Sequence, residues 1–262
     1  MKLAVNYSTP LVSLLEAGRV RVDLIKCPDW DGMIREARPH GPLTLHFDLE
    51  VGLGNTFKAD FARISDLLDS TETPHVNTHL VTPRTFDPDS PTELAQINRL
   101  WREELMLMVE ALGAERVALE HFPYTEATPH ILPATDSRIF SQVIEDMGCM
   151  FLLDVAHACI TADSLGIDPK DYIRSLPVDR LVEMHTTGIR PHAGVLTDHF
   201  PLGERDWAML AWALGEIRAG RWRKPAIVAY EYGGVGESFI WRTSGEAIET
   251  QVPRLYEMIH AG

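Results

Sequence analysis

The chain has few cysteines, few basic residues and no long apolar run. Its three cysteines, Cys27, Cys149 and Cys159, lack the spacing of a zinc or redox motif, so we expect buried free thiols. Only 24 Lys and Arg stand against 38 Asp and Glu, and the net charge of −14 argues against a nucleic-acid partner. No segment approaches the roughly 20 apolar residues that span a membrane, and the N-terminus lacks the apolar part of a signal peptide. We therefore expect a cytoplasmic protein.

Short apolar segments rich in strand-forming residues recur along the chain. Eight of them predict strands, at residues 2–8, 20–28, 43–50, 75–81, 116–124, 149–158, 181–188 and 225–234. Segments with helical periodicity lie between them, at residues 10–18, 29–37, 57–69, 91–113, 137–148, 169–177 and 204–220. Eight right-handed βαβ units in a chain of this length predict an α/β fold, the (β/α)8 TIM barrel, as a single domain over residues 1–262.

The region 186–203, TTGIRPHAGVLTDHFPLG, shows no clear element of its own. Loops of this length in compact domains are usually functional or disordered. Two histidines and an aspartate within it favour function.

Metal-competent side chains follow six consecutive predicted strands. They are His46 and Asp48, His75 and His79, Glu120 and His121, Asp154 and His157, then His185 with His192, Asp198 and His199 in the loop that follows, and Glu231. In a TIM barrel the C-terminal strand ends build the active site, so these groups are expected at one mouth. A lone group of this kind is usually a satisfied core residue, but burying so many together is costly unless cations share them. Alternation argues against His75, which starts its strand, and against His121, which points away from Glu120.

The remaining residues predict a site for several metal ions. The nine candidate ligands are His46, His79, Glu120, Asp154, His157, His185, Asp198, His199 and Glu231. Mixed imidazole and carboxylate ligands suit iron, zinc or manganese. Nine ligands are too many for one ion, and with a bridging carboxylate they predict two or three divalent ions about 3.5–4 Å apart.

The order of these residues resembles the xylose isomerase-like barrel superfamily, which includes endonuclease IV. The segment LLDVAHACITADSLGIDPKDYIRSLPVDRLVEMHTTG at 152–188 is more specific. Together with TDHFPLGERDWAML at 197–210 and IVAYEYGG at 227–234, it resembles the multinuclear non-haem iron-dependent oxidative enzymes, the MNIO family. The resemblance covers residues 43–234.

This resemblance implies roles for the nine residues. Glu120 would bridge two ions, with His46 and His79 on one side and Asp154, His185 and Glu231 on the other; His157, Asp198 and His199 would hold a third. The family has a carboxylate at the position of Thr197 and a histidine at that of Ile189, so His192 is an alternative third-ion ligand. Glu120 and Glu231 are also the candidate catalytic residues.

The resemblance further implies an oxidoreductase that uses iron and molecular oxygen to modify a cysteine-containing peptide, with a separate peptide-presenting protein as partner. The alternative is a sugar or sugar-phosphate isomerase or epimerase with one divalent ion held by Glu120, Asp154, His185 and Glu231. This alternative ranks second because an isomerase with one ion would not require the other four histidines of the nine candidates to face the same cavity. Cleavage of DNA fits the charge poorly, and a barrel that only stores metal or binds peptide also stays open. Lys26 points either into the mouth or to the surface.

Overall fold

The computed structural model describes residues 1–240 and 243–261. The strands are β1 Lys2–Asn6, β2 Leu24–Pro28, β3 Leu43–His46, β4 Glu50–Val51, β5 Val76–Leu80, β6 Val117–His121, β7 Met150–Asp154, β8 Leu181–Thr186, β9 Gly188–His192, β10 Val195–Phe200 and β11 Ile227–Tyr230. The helices are α1 Thr9–Glu16, α2 Asp31–Ala37, α3 Phe61–Thr71, α4 Pro91–Leu112, α5 Leu132–Thr135, α6 Ser137–Met147, α7 Val155–Leu165, α8 Pro169–Arg174, α9 Glu204–Arg218, α10 Glu237–Ile240 and α11 Gly245–His260. Each of the eight predicted strands corresponds to a strand of the main sheet.

The main sheet has nine parallel strands that curl into a barrel. Its order is β3-β2-β1-β11-β8-β7-β6-β5-β4, so the first and last strands of the chain pair with each other. The ladder is interrupted between β3 and β4. At this seam the Leu45 amide donates to Thr73 Oγ1 at 3.1 Å and the Phe47 amide donates to Asn77 Oδ1 at 2.9 Å. Hydrogen bonds to side chains therefore replace backbone–backbone hydrogen bonds where the strand ladder stops.

Apolar side chains fill the end of the barrel where the strands begin. One cluster joins Ala4, Leu24, Ile227 and Ala229, and a second joins Ala118, Met150 and Leu152. The outward faces of the same strands pack against the surrounding helices, because successive side chains in a strand point to opposite sides. The ionisable residues are therefore left at the C-terminal strand ends.

The loop between β3 and α3 is anchored from α4 by a buried carboxylate. The Gly52 amide donates to Glu104 Oε2 at 2.5 Å and the Thr56 amide donates to Glu104 Oε1 at 3.3 Å. Gly52 has a φ of +116°, and an added Cβ would lie 2.1 Å from the Val81 carbonyl oxygen. Glycine is required at this close approach.

The predicted strand over 149–158 is wrong at its C-terminal end. The strand stops at Asp154, whose side chain caps α7 by accepting from the His157 amide at 2.9 Å. Every residue of α7 from Val155 to Ala162 is buried. This part of the helix has no exposed face, so helical periodicity is not visible in its sequence.

The prediction of no regular element over 186–203 is also wrong. Strands β9 and β10 form an antiparallel hairpin in which His192 pairs with Val195. Its two turn residues, Ala193 and Gly194, both have positive φ, at 49° and 86°, as the tight hairpin turns require. Alanine is an unusual residue for this position, so the turn lacks its usual sequence signal.

Helix α11 lies outside the predicted elements. Its buried residues Ile248, Val252, Leu255 and Ile259 follow helical spacing, and the helix packs against α1 and β1. Among the residues that the structure describes, no helix combines the length and apolar character needed to cross a membrane.

Candidate metal centre

The C-terminal mouth of the barrel holds all nine predicted ligands. A cavity of about 460 Å³ opens there, and six of the nine line it: His46, His79, His157, Asp198, His199 and Glu231. The other three, Glu120, Asp154 and His185, are almost fully buried and lie at ion-pair distance from lining residues. The barrel therefore brings side chains from β3 through β11 to one place.

Glu120 lies at the centre of this group. Its Oε2 is 3.2 Å from His79 Nε2, and its Oε1 is 3.3 Å from His157 Nδ1 and 3.5 Å from His185 Nδ1. The first contact follows from strand register, because His79 and Glu120 are paired on β5 and β6. Burial opposes ionisation of Glu120, but the neighbouring imidazoles outweigh burial and hold the pKa of this carboxyl well below its usual range.

The two carboxylate oxygens of Asp154 have different surroundings: one caps a helix and the other faces the histidines of the candidate metal centre. Oδ1 caps α7, while Oδ2 lies 3.8 Å from His157 Nε2 and 4.0 Å from His185 Nδ1. The cap fixes the first turn of α7, and this turn carries His157 to the cavity wall. Burial, reinforced by the charges of Glu120 and Glu231, raises the pKa of Asp154. A cation near Oδ2 would reverse that effect.

Asp198 and His199 reach the cavity from a distorted part of the hairpin. The β9–β10 register shifts between Thr197 and Phe200, and His199 adopts a φ of +59°. Its Nδ1 lies 2.7 Å from the Glu231 carbonyl oxygen, and Asp198 Oδ2 lies 3.0 Å from His157 Nε2. A non-glycine residue with positive φ stores strain, and such strain clusters at functional sites.

His46 ends β3 at the barrel seam. It contacts the Asn77 side chain, and its ring centroid lies 5.9 Å from that of His79 and 5.7 Å from that of His185. Burial, with the nearby Lys26 ammonium, lowers the pKa of His46 to about 3. The imidazole is therefore neutral, which is the form that binds metal ions.

Three overlapping groups of residues have the geometry to hold a cation. They are His79-Glu120-His157, Glu120-Asp154-His185 and Asp154-His157-Asp198, with one ligand atom per residue and all atoms of a group within 4.8 Å of one another. Each group shares a residue with the next. Shared ligands are the arrangement of a multinuclear centre rather than of separate mononuclear sites.

The buried polar atoms in these groups fit divalent ions. Both Glu120 carboxylate oxygens, Asp154 Oδ2 and His185 Nδ1 have no hydrogen-bond partner among residues 1–240 and 243–261. Leaving such atoms unpaired in a protein interior costs about 1–3 kcal/mol each, more when they are charged. A cation between them removes this cost, and mixed nitrogen and oxygen donors suit iron, manganese or zinc.

A layer of polar residues lies beneath the ligands: Lys26 points into the mouth rather than to the surface, and Glu183 was not singled out from the sequence. Lys26 Nζ is buried, 2.7 Å from Glu231 Oε1 and 2.5 Å from His185 Nε2. Glu183 Oε1 lies 2.9 Å from His185 Nε2, and its Oε2 lies 2.7 Å from His75 Nε2. Strand alternation could have found two of them, because Lys26 follows the inward Leu24 by two residues and Glu183 precedes His185 by two.

Two histidines that were weighed against the chosen ligands, His121 and His192, lie outside the three groups. The His121 ring packs outside the barrel, 5.9 Å from Phe140 and 6.0 Å from Tyr172. His192 is exposed at the end of β9, with its ring 6.3 Å from Phe200. The alternation argument against His121 is therefore confirmed, and the structure does not bring His192 into the three groups above.

Solved structures with similar folds are TIM barrels. D-psicose 3-epimerase, solved in the presence of D-fructose, aligns over the full length of both chains with a TM-score of 0.64 and 16% identity. A family 2 AP endonuclease from Brucella melitensis aligns over 96% of this chain and 98% of its own, with a TM-score of 0.58 and 14% identity. At identities this low, the alignments show a shared fold and not a shared function. The predicted xylose isomerase-like TIM barrel is confirmed.

Proteins with similar sequences indicate to which family within this fold the chain belongs. A UPF0276 protein of Acaryochloris marina is 26% identical over 190 residues, which are 69% of this chain and 68% of the relative. A UPF0276 protein of Caulobacter vibrioides is 26% identical over 226 residues, 80% of this chain and 79% of its own. The family model described as "RiPP precursor modification enzyme MbnB/TglH/ChrH" matches residues 29–219, from the residue after β2 to the end of α9. Because this match spans the elements that carry eight of the nine candidate ligands, the chain belongs to the MbnB/TglH/ChrH family, the group predicted as MNIO.

Proposed function

We propose that this protein is a metal-dependent oxidative enzyme that holds two or three divalent ions, chiefly iron, and modifies a cysteine-containing peptide with molecular oxygen. The observation that carries the proposal is Glu120, a buried carboxylate with three imidazole nitrogens within 3.5 Å and no hydrogen bond to either oxygen. Membership of the family described as RiPP precursor modification enzymes supports this reaction class. A separate protein that presents the peptide belongs to the proposal as a partner.

The ligands divide between neighbouring positions. His79 and His157 would hold one ion together with Glu120, and Asp154 and His185 would hold another together with Glu120. His46, whose ring centroid is 5.9 Å from that of His79, would complete the first set. Glu231, 3.3 Å from His185 Nδ1, would complete the second. Bound ferrous iron would supply the one-electron chemistry by which oxygen oxidises an organic substrate.

Aromatic side chains line part of the cavity wall. Phe122 and Phe239 line the cavity, with the Phe122 ring 5.6 Å from that of His79, and Trp30 stands 56% exposed at the rim. A volume of about 460 Å³ lies within the common range for small-molecule sites, roughly 300–1,000 Å³. A cysteine side chain with its flanking backbone fits such a space, whereas a folded protein does not.

A sugar or sugar-phosphate isomerase or epimerase is the second candidate. Glu120, Asp154 and His185 favour it, because they form one compact group for a single ion. D-psicose 3-epimerase shares the fold. We rank this candidate second because it does not explain the additional histidines around the cavity. His79 and His157 belong to a separate group of ligands that a one-ion site does not need.

The deciding experiment measures metal and reaction together. We would purify the protein without oxygen or chelators, determine iron, zinc and manganese per chain, and follow oxygen consumption with cysteine-containing peptides. Two or three ions, chiefly iron, with peptide-dependent oxygen uptake would support the proposal. One manganese or zinc ion with turnover of a ketose would support the isomerase, and a protein without metal after reconstitution would rule out both.

A further inference from the structure

Three large apolar side chains stand exposed on two neighbouring loops at the mouth of the barrel. Trp30 lies between β2 and α2 and is 56% exposed, while Leu53 and Phe57, in the loop between β3 and α3, are 46% and 52% exposed. Trp30 also lines the cavity, as does Leu49 from the second loop. The exposed apolar side chains thus begin at the edge of the cavity, where a ligand that extends beyond the cavity would meet them.

The two loops are fixed to each other by Arg63, in the first turn of α3. Its guanidinium donates to the Asp29 carbonyl oxygen at 2.6 Å, to Asp29 Oδ2 at 3.1 Å and to Asp31 Oδ1 at 2.9 Å, on both sides of Trp30. The Asp29 amide donates to the His46 carbonyl oxygen at 3.2 Å, at the end of β3. The Trp30 backbone is therefore held from two directions while its ring stays exposed.

The loop that carries Leu53 and Phe57 is fixed as well. The buried Glu104 carboxylate accepts from the amides of Gly52 and Thr56, the residues immediately before Leu53 and Phe57. An exposed apolar side chain on a fixed loop loses little conformational freedom when it binds a partner. Aromatic side chains of this kind are the usual anchors of binding surfaces.

Carboxylates outnumber cations around these apolar side chains. Residues 29–31 and 47–63 hold five carboxylates and two cations: Asp29, Asp31, Asp48, Glu50 and Asp60 against Lys58 and Arg63. Asp29 and Asp31 are paired with Arg63. The side chains of Asp48 and Glu50 line the cavity and form no hydrogen bond or ion pair with another residue in the ranges 1–240 and 243–261. Carboxylates beside exposed apolar side chains complement a ligand that has both a basic and an apolar group.

Asp48 and Glu50 also lie outside the three groups that could hold a cation. Glu50 is in register with His79, so its side chain points to the same face of the sheet as that candidate ligand. Lys26, a cation that lines the same cavity, is already 2.7 Å from Glu231 Oε1. Within the part of the chain that the structure describes, the charges of Asp48 and Glu50 are therefore left to a ligand.

We propose that these five residues, Trp30, Asp48, Glu50, Leu53 and Phe57, form a rim surface that binds the part of the peptide substrate beside its reactive cysteine, and that this part carries a lysine or arginine and an apolar residue. The inference rests on the proposed peptide-modifying function and names its substrate more closely. The basic residue meets the two carboxylates at the cavity edge, and the apolar residue packs on the exposed side chains outside it. An acidic residue at the same place would be repelled by both carboxylates.

Binding of synthetic peptides tests this inference without turnover. The probes are fluorescein-labelled nonapeptides with a central cysteine in a glycine-serine background, with one lysine and one leucine placed in turn at each flanking position. A matched set has glutamate in place of lysine. Fluorescence anisotropy without oxygen would measure binding to the protein as purified. We expect the best lysine peptide to bind at least about tenfold more tightly than its glutamate counterpart, and this ratio to fall as salt rises from about 0.05 to 0.5 M, because exposed charges are screened.

Charge reversal at the rim surface gives the sharpest variants. Asp48→Lys and Glu50→Lys should each weaken the preference for lysine, and the double variant should prefer the glutamate peptides, a gain that a misfolded protein cannot show. Glu110→Lys makes the same change of charge at an exposed position on α4 and is the matched control. It should leave the preference unchanged.

The apolar part of the rim surface is tested separately. Trp30→Ser should weaken binding of the leucine peptides about tenfold and Phe57→Ser about threefold, because each substitution removes apolar contact area. Peptides with serine in place of leucine should bind these variants and the native protein alike. Met106→Ser, at a 46% exposed position on α4, is the matched control and should change nothing.

The outcomes separate this inference from the proposed function. Equal binding of lysine and glutamate peptides, no binding of any peptide, or an effect of Trp30→Ser no larger than that of Met106→Ser would overturn the inference, whereas oxygen uptake with any of these peptides would still support the oxidative function. Lysine-dependent binding without oxygen uptake by the iron-loaded protein would support the rim surface and count against the oxidative reaction. Self-association in sedimentation velocity that Trp30→Ser abolishes would assign the surface to a second copy of the chain and overturn the inference.

Discussion

The two ends of the barrel interior are built from the same strands and differ sharply in chemistry. Where the strands begin, Leu24 and Ala118 contribute to apolar clusters; two residues further along the same inward faces lie Lys26 and Glu120. The two clusters at the first end contain only apolar side chains, whereas the other end concentrates charge that only pairing or cations can satisfy. The comparison teaches that stability and chemistry are separated along each strand, as is general for TIM barrels.

Removing the central carboxylate should have the largest effect on the polar end. In Glu120→Gln we expect the activity on a cysteine-containing peptide to fall more than about 1,000-fold, equivalent to ~4 kcal/mol, because both neighbouring ion positions lose a ligand. The measurement is oxygen consumption alongside metal content.

The matched control is Glu103→Gln, an exposed position on α4. It should leave both quantities unchanged. Full metal content and activity in Glu120→Gln would mean that this residue does not bridge ions.

The apolar end should respond in the opposite way. Leu152→Ala removes a fully buried side chain from the strand that ends in Asp154, and we expect a loss of ~3 kcal/mol in the free energy of unfolding. The number of ions per folded chain should not change. Denaturant unfolding of metal-free protein and elemental analysis would measure the two effects, and a loss of metal without a loss of stability would contradict the separation of the two ends.

Glu183 lies at the boundary between the two ends and should show an intermediate effect. Its carboxylate lies 2.9 Å from His185 Nε2 and orients that ring. Because partners of a metal-binding histidine commonly contribute 10–100-fold in affinity, Glu183→Gln should weaken metal binding by about that factor. Dialysis against a graded series of Mn²⁺ concentrations would measure it. Unchanged affinity would show that the His185 ring needs no such support.

The smallest effect concerns the cysteines. Burial raises the pKa of Cys27, Cys149 and Cys159 to about 12, so all three remain protonated thiols at pH 8. We expect a thiol reagent to modify less than one group per native chain at pH 8 and all three after unfolding in guanidinium. Rapid modification of the native protein would contradict this burial and would direct attention to Cys27, which borders the cavity.

The strands were predictable because a parallel barrel strand is apolar on both faces until it reaches the mouth. The predicted strand over 149–158 runs past Asp154 for the same reason: α7 is buried on every side from Val155 to Ala162, so these residues resemble those of the strand before them. The hairpin formed by β9 and β10 could not be predicted because its turn contains Ala193 and Gly194, an uncommon pair for two positive φ angles.

The sequence by itself determined the eight strands, the mouth at which they end and the type of each candidate ligand, since these depend on local pattern and on strand direction. Only the tertiary structure decided which atoms meet. Glu120, His185 and Glu231 are far apart in the chain, and their oxygen and nitrogen atoms approach within 3.5 Å because β11 pairs with β8 and only β7 separates β8 from β6 in the curled sheet. The direction of Lys26 was decided in the same way, because a flexible lysine becomes a buried cation only where carboxylates from other strands surround it.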